Sequence, residues 1–108
     1  MPKRARVAEV GTYRGEFARH ILGTCDPAEL HLIDIDTSLL DPAVAKDTRV
    51  SVHQGLSQEM LARFSDDRFD WIYIDGDHSY EGASGDARVA ASKVKPGGYL
   101  VFNDFAHA

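Results

Sequence analysis

The strongest constraint on this chain is an alternation. Five short apolar runs, each closed by glycine, acid or amide residues, are separated by stretches with helical spacing. The runs are residues 6–10, ended by Gly11; residues 30–36, ending in two acids; residues 50–53, ended by Gln54-Gly55; residues 69–74, ended by Asp75-Gly76-Asp77; and residues 99–102, ended by Asn103-Asp104. Between them, residues 15–22 predict a helix with Phe17, Ile21 and Leu22 on one face and Gly23 as its stop. Residues 37–46 predict a short helix in which Pro42 sits in the first turn or breaks it. Residues 58–64 predict a helix capped by Ser57 that buries Leu61 and Phe64. Residues 80–94 predict a helix with Tyr80, Ala83, Ala87, Ala91 and Val94 inside, stopped by Pro96-Gly97-Gly98. Strands alternating with helices make a parallel sheet covered on both faces, an α/β doubly wound architecture. Near-continuous apolar strands fit burial on both sides. The 108 residues are expected to be one domain.

Composition removes several classes. Lys plus Arg is 12 against 17 Asp plus Glu, a net charge of −5, which argues against nucleic acid as the main partner. No apolar run approaches the roughly 20 residues of a membrane helix, so no membrane partner is expected. A single cysteine, Cys25, excludes an intrachain disulfide and fits a reducing cytoplasmic setting. No His/Cys spacing resembles a zinc site. His31 and His53 lie within strands as edge or core residues, and Trp71 reads as core.

The polar residues share one location, the C-terminal ends of the strands, where open α/β sheets bind ligands. Glu9-Val10-Gly11-Thr12-Tyr13-Arg14-Gly15 joins the first strand to the first helix, and the N–H groups at the helix start favour a negative group. The same glycines also serve an ordinary βα turn. Tyr13 stands where a dinucleotide fingerprint needs its middle glycine, and no Gly-Lys-Ser/Thr follows for a phosphate loop. Asp34 lies 19 residues after Gly15, near the ~20-residue offset of a ribose-binding acid. A carboxylate there accepts from both ribose hydroxyls; the alternative is a solvated strand end, with Asp36 the better helix cap. Asp75-Gly76-Asp77-His78 and Asn103-Asp104 follow neighbouring strands about 5 Å apart. Asp75, Asn103 and Asp104 form a hard-oxygen set suited to Mg²⁺ or Mn²⁺, and His78 beside them suits a general base. Singly, Asp77 also reads as a helix cap and His78 as a structural histidine. An aspartate-nucleophile phosphatase is disfavoured because Asp77-His78-Ser79-Tyr80 does not complete its Asp-x-Asp-x-Thr/Val pattern.

With these residues in place, the chain resembles the class I S-adenosylmethionine-dependent methyltransferases. Glu9-x-Gly11-x-x-x-Gly15 matches their first motif. Ile74-Asp75-Gly76-Asp77-His78-Ser79-Tyr80-Glu81 resembles the small-molecule O-methyltransferase branch that includes macrocin-type sugar O-methyltransferases. Lys95-Pro96-Gly97-Gly98 before an apolar strand with an acidic end is a third family habit, and the resemblance runs over residues 7–105. It implies a Rossmann-like sheet in the order 3-2-1-4-5, a cofactor core lacking the usual C-terminal strand pair. It implies that Gly11, Thr12, Tyr13 and Gly15 surround the methionine part of S-adenosylmethionine, with Glu9 beneath its amino group. Asp34 would hold the ribose, Ile35 would pack beside the adenine, and Gly55, Leu56 and Ser57 would border it. In the metal-dependent branch the matching positions imply Mg²⁺ on Asp75, Asn103 and Asp104, with His78 taking the proton of a small-molecule hydroxyl. Asn103 departs from the usual acid and removes one negative charge. A module that binds S-adenosylmethionine or S-adenosylhomocysteine without independent turnover is the alternative. The exposed edge of the fifth strand suits pairing into a homo-oligomer.

Overall fold

The structure, a computed structural model, describes residues 4–75 and 80–102, with side chains of the last helix from Gly85 onward. Nine elements alternate as the sequence predicts: β1 (Arg6–Val10), α1 (Glu16–Cys25), β2 (Glu29–Asp34), α2 (Pro42–Ala45), β3 (Val50–Gln54), α3 (Ser57–Ala62), β4 (Phe69–Ile74), α4 (Tyr80–Lys93) and β5 (Val94–Phe102). The five strands form one parallel sheet in the order β3-β2-β1-β4-β5. The order reverses beside β1, so the crevice at that reversal opens above the C-terminal ends of β1, β2 and β4.

Period-two side chains divide the core between the two faces. On one face Val7, Leu30, Leu32, Trp71 and Tyr73 meet Ala18, Ile21 and Leu22 of α1 and Val44 of α2. On the other, Ala8, Val10, Ile33, Ile72 and Ile74 meet Met60 and Leu61 of α3 and Ala90 of α4. Glu9 continues the first face, two residues beyond Val7, and is the point where the apolar pattern gives way to an acid.

Several local expectations are corrected. Gly23 does not stop α1. The helix passes it and ends at Cys25, where Asp26 adopts φ +43° and Pro27 cannot continue the helix. The region expected to hold the second helix forms only α2, with Pro42 in its first turn; Asp41 accepts from the Ala43 N–H at 2.9 Å and is the cap. Asp36 instead closes a local turn on the Ser38 N–H at 2.9 Å. Ser57 does not cap α3; its hydroxyl turns to Asp86, and Leu56 stands at the cap position without a side-chain bond. From Gly85 onward the inner stripe of α4 is Asp86, Ala90 and Lys93, whereas Ala87 is half-buried and Ala91 exposed; the side chains of Tyr80 and Ala83, also expected inside, lie outside the described residues. Alanine tolerates either face of a helix, so alanine spacing could not fix the rotation. Lys93 reaches Asp66 Oδ1 at 2.9 Å from that inner stripe. Finally, β5 starts at Val94 opposite Phe69, and the next pair is Trp71 with Tyr99. The Pro96-Gly97-Gly98 segment, expected only as a helix stop, is therefore an excursion within the strand, where Pro96 has no N–H to give to a ladder.

The two strand histidines join rather than stand apart. His31 Nδ1 and His53 Nε2 are 2.9 Å apart, and His31 Nε2 is 2.9 Å from Glu29 Oε1. The carboxylate can only accept, so His31 donates to it from Nε2, which leaves Nδ1 to bond His53 Nε2. Burial, with the His31 and Arg63 charges, holds His53 below the usual histidine range.

Candidate functional site

The turn after β1 is held at both ends. Gly11 N–H donates to the Ile33 carbonyl at 2.7 Å, and Gly15 N–H donates to the Thr12 carbonyl at 2.8 Å. Gly11 and Gly15 take φ near +86° and +88°, and a Cβ on Gly15 would come within 2.8 Å of Leu40 Cδ1. Both positions therefore require glycine. Tyr13 also lies in the left-handed region, at φ +51°, and its N–H donates to Asp34 Oδ2 at 3.0 Å. Asp34 Oδ1 accepts from the Asp36 N–H at 3.2 Å, and the Asp34 carbonyl accepts from Gly55 N–H at 2.9 Å. One acid thus ties the ends of β1, β2 and β3 together, and each of its carboxylate oxygens retains a lone pair for a ligand.

Two clefts flank this turn. The larger, about 530 Å³, has Glu9, Gly11, Thr12, Tyr13 and Asp75 on its walls, with Phe17 and His20 of α1, Tyr73 of β4, and Arg14, Glu16 and Leu39. The smaller, about 310 Å³, is bounded by Val10, Gly11, Tyr13, Ile33, Asp34, Ile35, Leu56 and Ser57. Tyr13 and Gly11 belong to both. The structure thus brings Glu9, Gly11, Thr12, Tyr13, Asp34, Ile35, Leu56, Ser57 and Asp75 to one crevice. Gly15 and Gly55 support it through their backbones. His78, Asn103 and Asp104 lie outside the described residues. Among the described residues no group of three or more His, Cys, Asp or Glu side chains is placed to hold a metal ion.

Glu9 dominates the electrostatics. It is 1% exposed, and its Oε1 has no hydrogen-bond partner. Burial pushes its carboxyl up to about 8; the Thr12 hydroxyl opposes the shift without completing a well-formed bond, and the Asp75 and Asp34 charges add to it. A buried carboxylate near two other acids is costly, and a cation relieves that cost.

The profile of the family described as "Methyltransferase domain" matches residues 8–105. The chain belongs to that family. Solved methyltransferases share its fold. A S-adenosylmethionine-dependent methyltransferase from Mesorhizobium loti superposes at TM-score 0.72 with 21% identity, over 93% of this chain and 46% of its own. MycE, from the mycinamycin biosynthetic pathway and solved with Mg, S-adenosylhomocysteine and mycinamycin VI, gives 0.74 and 21% over 98% of this chain and 29% of its own. The [4+2]-cyclase SpnF gives 0.77 and 18% over 93% and 38%. The domain therefore spans less than half the length of these structures. No curated protein matches it in sequence.

The crevice of this methyltransferase domain fits the family's cofactor on its own evidence. The orphaned buried Glu9 oxygen suits an ammonium, and Asp34 keeps open acceptor sites toward hydroxyls. Exposed Ile35 and Leu56 supply apolar surface on the same side as Asp34. Sequence reasoning missed Arg14, Glu16, Phe17, His20, Leu39 and Tyr73 in the larger cleft. In the sequence Phe17 marks only an apolar helix face and Tyr73 only an apolar strand, with no sign of a cleft. They stack on each other with centroids 4.1 Å apart at the cleft wall. Leu39, in the connection between β2 and α2, carries no local signal at all. Asp86 was missed too, although an acid in register with Ala90 and Lys93 was a visible sign.

Proposed function

We propose that the domain binds S-adenosylmethionine across both clefts and methylates a hydroxyl oxygen of a small molecule. The observation that carries the reading is Glu9, a buried acid lining the larger cleft whose Oε1 has no hydrogen-bond partner, with Asp34 presenting acceptors in the smaller one. Glu9 would receive the methionine ammonium, and Asp34 the ribose hydroxyls. Ile35 and Leu56 would cover the adenine, bordered by Gly55 and Ser57. The bound cofactor supplies an electrophilic methyl, which the substrate oxygen takes in exchange for its proton. His78, three residues beyond Asp75, is the residue we assign to accept that proton. Asp75, Asn103 and Asp104 are the oxygen donors we assign to Mg²⁺, which would orient the hydroxyl and lower its pKa. MycE, similar in fold, was solved with Mg and S-adenosylhomocysteine, which supports the metal assignment without extending its substrate to this domain.

A second reading is ligand binding without methyl transfer, favoured by the likeness to SpnF, a cyclase on the same fold. The exposed edge of β5, with Tyr99 and Phe102 exposed on it, is where we place self-association. Among the described residues no helix is long and apolar enough to cross a membrane. We assign the domain to the cytoplasm on its single cysteine.

Calorimetric titration with S-adenosylmethionine and S-adenosylhomocysteine tests the cofactor reading. Micromolar binding supports it, and absence of binding by folded protein defeats it. Transfer of labelled methyl to a panel of hydroxylated acceptors, with and without Mg²⁺, then separates turnover from capture. His78→Ala should abolish transfer and leave cofactor affinity intact.

A further inference from the structure

Asp86 is a buried acid that neither the strand-end pattern nor the proposed chemistry uses. It lies on α4, 1% exposed, one helical turn before Ala90, which is itself fully buried in the core. An acid at such a place is expensive unless its oxygens are hydrogen-bonded. Its Oδ1 accepts the hydroxyl of Ser57 at 2.5 Å. Ser57 is the first residue of α3 and borders the smaller cleft together with Leu56.

The receiving end needs such a hold. Helix α3 has only six residues and no side-chain cap at Leu56. A helix that short does not persist by itself in water, so its position depends on what packs against it. Helix α4 is its close neighbour, since a Cβ at Gly85 would come within 2.3 Å of Gln58 Nε2. The Ser57 hydroxyl, which could have capped α3 locally, instead ties the start of α3 to α4.

We propose that Asp86 is a positioning residue for the nucleoside side of the crevice: through the Ser57 hydroxyl it fixes Leu56 and Ser57 at the rim of the smaller cleft. The inference rests on the cofactor reading for its ligand, though not for the bond itself. It also joins α4, the helix that follows the Asp75 loop in sequence, to the cleft on the opposite side of the turn after β1.

The test compares Asp86→Ala, Asp86→Asn, Ser57→Ala and the double alanine variant, with S-adenosylhomocysteine and adenosine as calorimetric ligands. Asp86→Ala should weaken both ligands by about tenfold, and by the same factor, because the loss lies on the nucleoside side. Asp86→Asn keeps an acceptor for Ser57 and should stay within about threefold of wild type. The double variant should bind no more weakly than Asp86→Ala. Wild-type affinity in folded Asp86→Ala, or losses that simply add in the double variant, would overturn the proposal. If Asp86→Ala does not fold, amide exchange at Leu56 and Met60 in Ser57→Ala decides: faster exchange supports the proposal and unchanged exchange overturns it. If the wild type binds neither ligand, the cofactor reading fails by itself. Amide exchange at Leu56 and Met60 then decides the hold on the rim, with faster exchange in Ser57→Ala supporting it and unchanged exchange overturning it.

Discussion

Replacing Glu9 by glutamine should make the ligand-free domain more stable. The folded carboxyl titrates at about 8 rather than 4.5, because burial disfavours its charged form. Its proton is therefore held more tightly by the folded chain than by the unfolded one. The contribution to stability is complete below pH 4.5 and is lost as pH rises through 8. Each pH unit inside that window costs about 1.4 kcal/mol, so the loss is roughly 3 kcal/mol at pH 7 and approaches about 5 kcal/mol above pH 9. Glutamine has nearly the same shape and cannot ionise. Glu9→Gln should thus match the wild type near pH 5 and exceed it by about 3 kcal/mol at pH 7. Urea unfolding from pH 5 to 9 measures this directly, because Trp71 is the sole tryptophan and is buried against β1 and β5. A variant whose stability follows the wild-type pH slope, or that gains nothing at pH 8, would refute the argument. The same substitution should weaken S-adenosylhomocysteine binding by about tenfold or more, since the ammonium loses a charged partner. A site that gains stability when its acid is removed and loses its ligand at the same time is organised around that ligand.

Asp34→Ala should weaken S-adenosylhomocysteine by roughly 1–3 kcal/mol, measured by calorimetry, because it removes the acceptors on the nucleoside side. Gly15→Ala should destabilise by about 2 kcal/mol in thermal unfolding, since it combines a left-handed backbone with a Cβ 2.8 Å from Leu40. His53→Gln should flatten the acid limb of the stability profile. The depressed His53 lets the unfolded chain take the proton first, so wild-type stability falls as pH drops below 6.5. This is best read in a Glu9→Gln background, where the opposing slope of Glu9 is absent.

Fold and cleft were legible because their signals are local. Apolar runs placed all five strands, and the acid after the second run lay at the offset that a ribose partner needs. What sequence could not show depends on tertiary placement. The α4 stripe departs from the alanine spacing because Ala87 and Ala91 carry no polarity to orient the helix. The role of Ser57 was misread because a serine before a helix has a local use, while its actual partner lies 29 residues away. Leu39, likewise remote in sequence from most of the larger cleft's other residues, gave no sign of its place there. His78, Asn103 and Asp104, legible as a motif, lie outside the described residues, so their assignment rests on sequence and on the chemistry proposed for them.

The wall shared by the two clefts has a consequence for how a divided ligand would bind. Tyr13 stands in both, on a backbone fixed by Asp34. Adenosine on one side and an amino acid on the other would press on opposite faces of the same short turn. Ordering the exposed Tyr13 side chain for the first fragment removes part of the entropic cost for the second. The halves should therefore act as heterotropic partners, each raising the other's affinity. The intact molecule gains further, because the linkage holds its second half at high effective concentration beside a wall already set by the first.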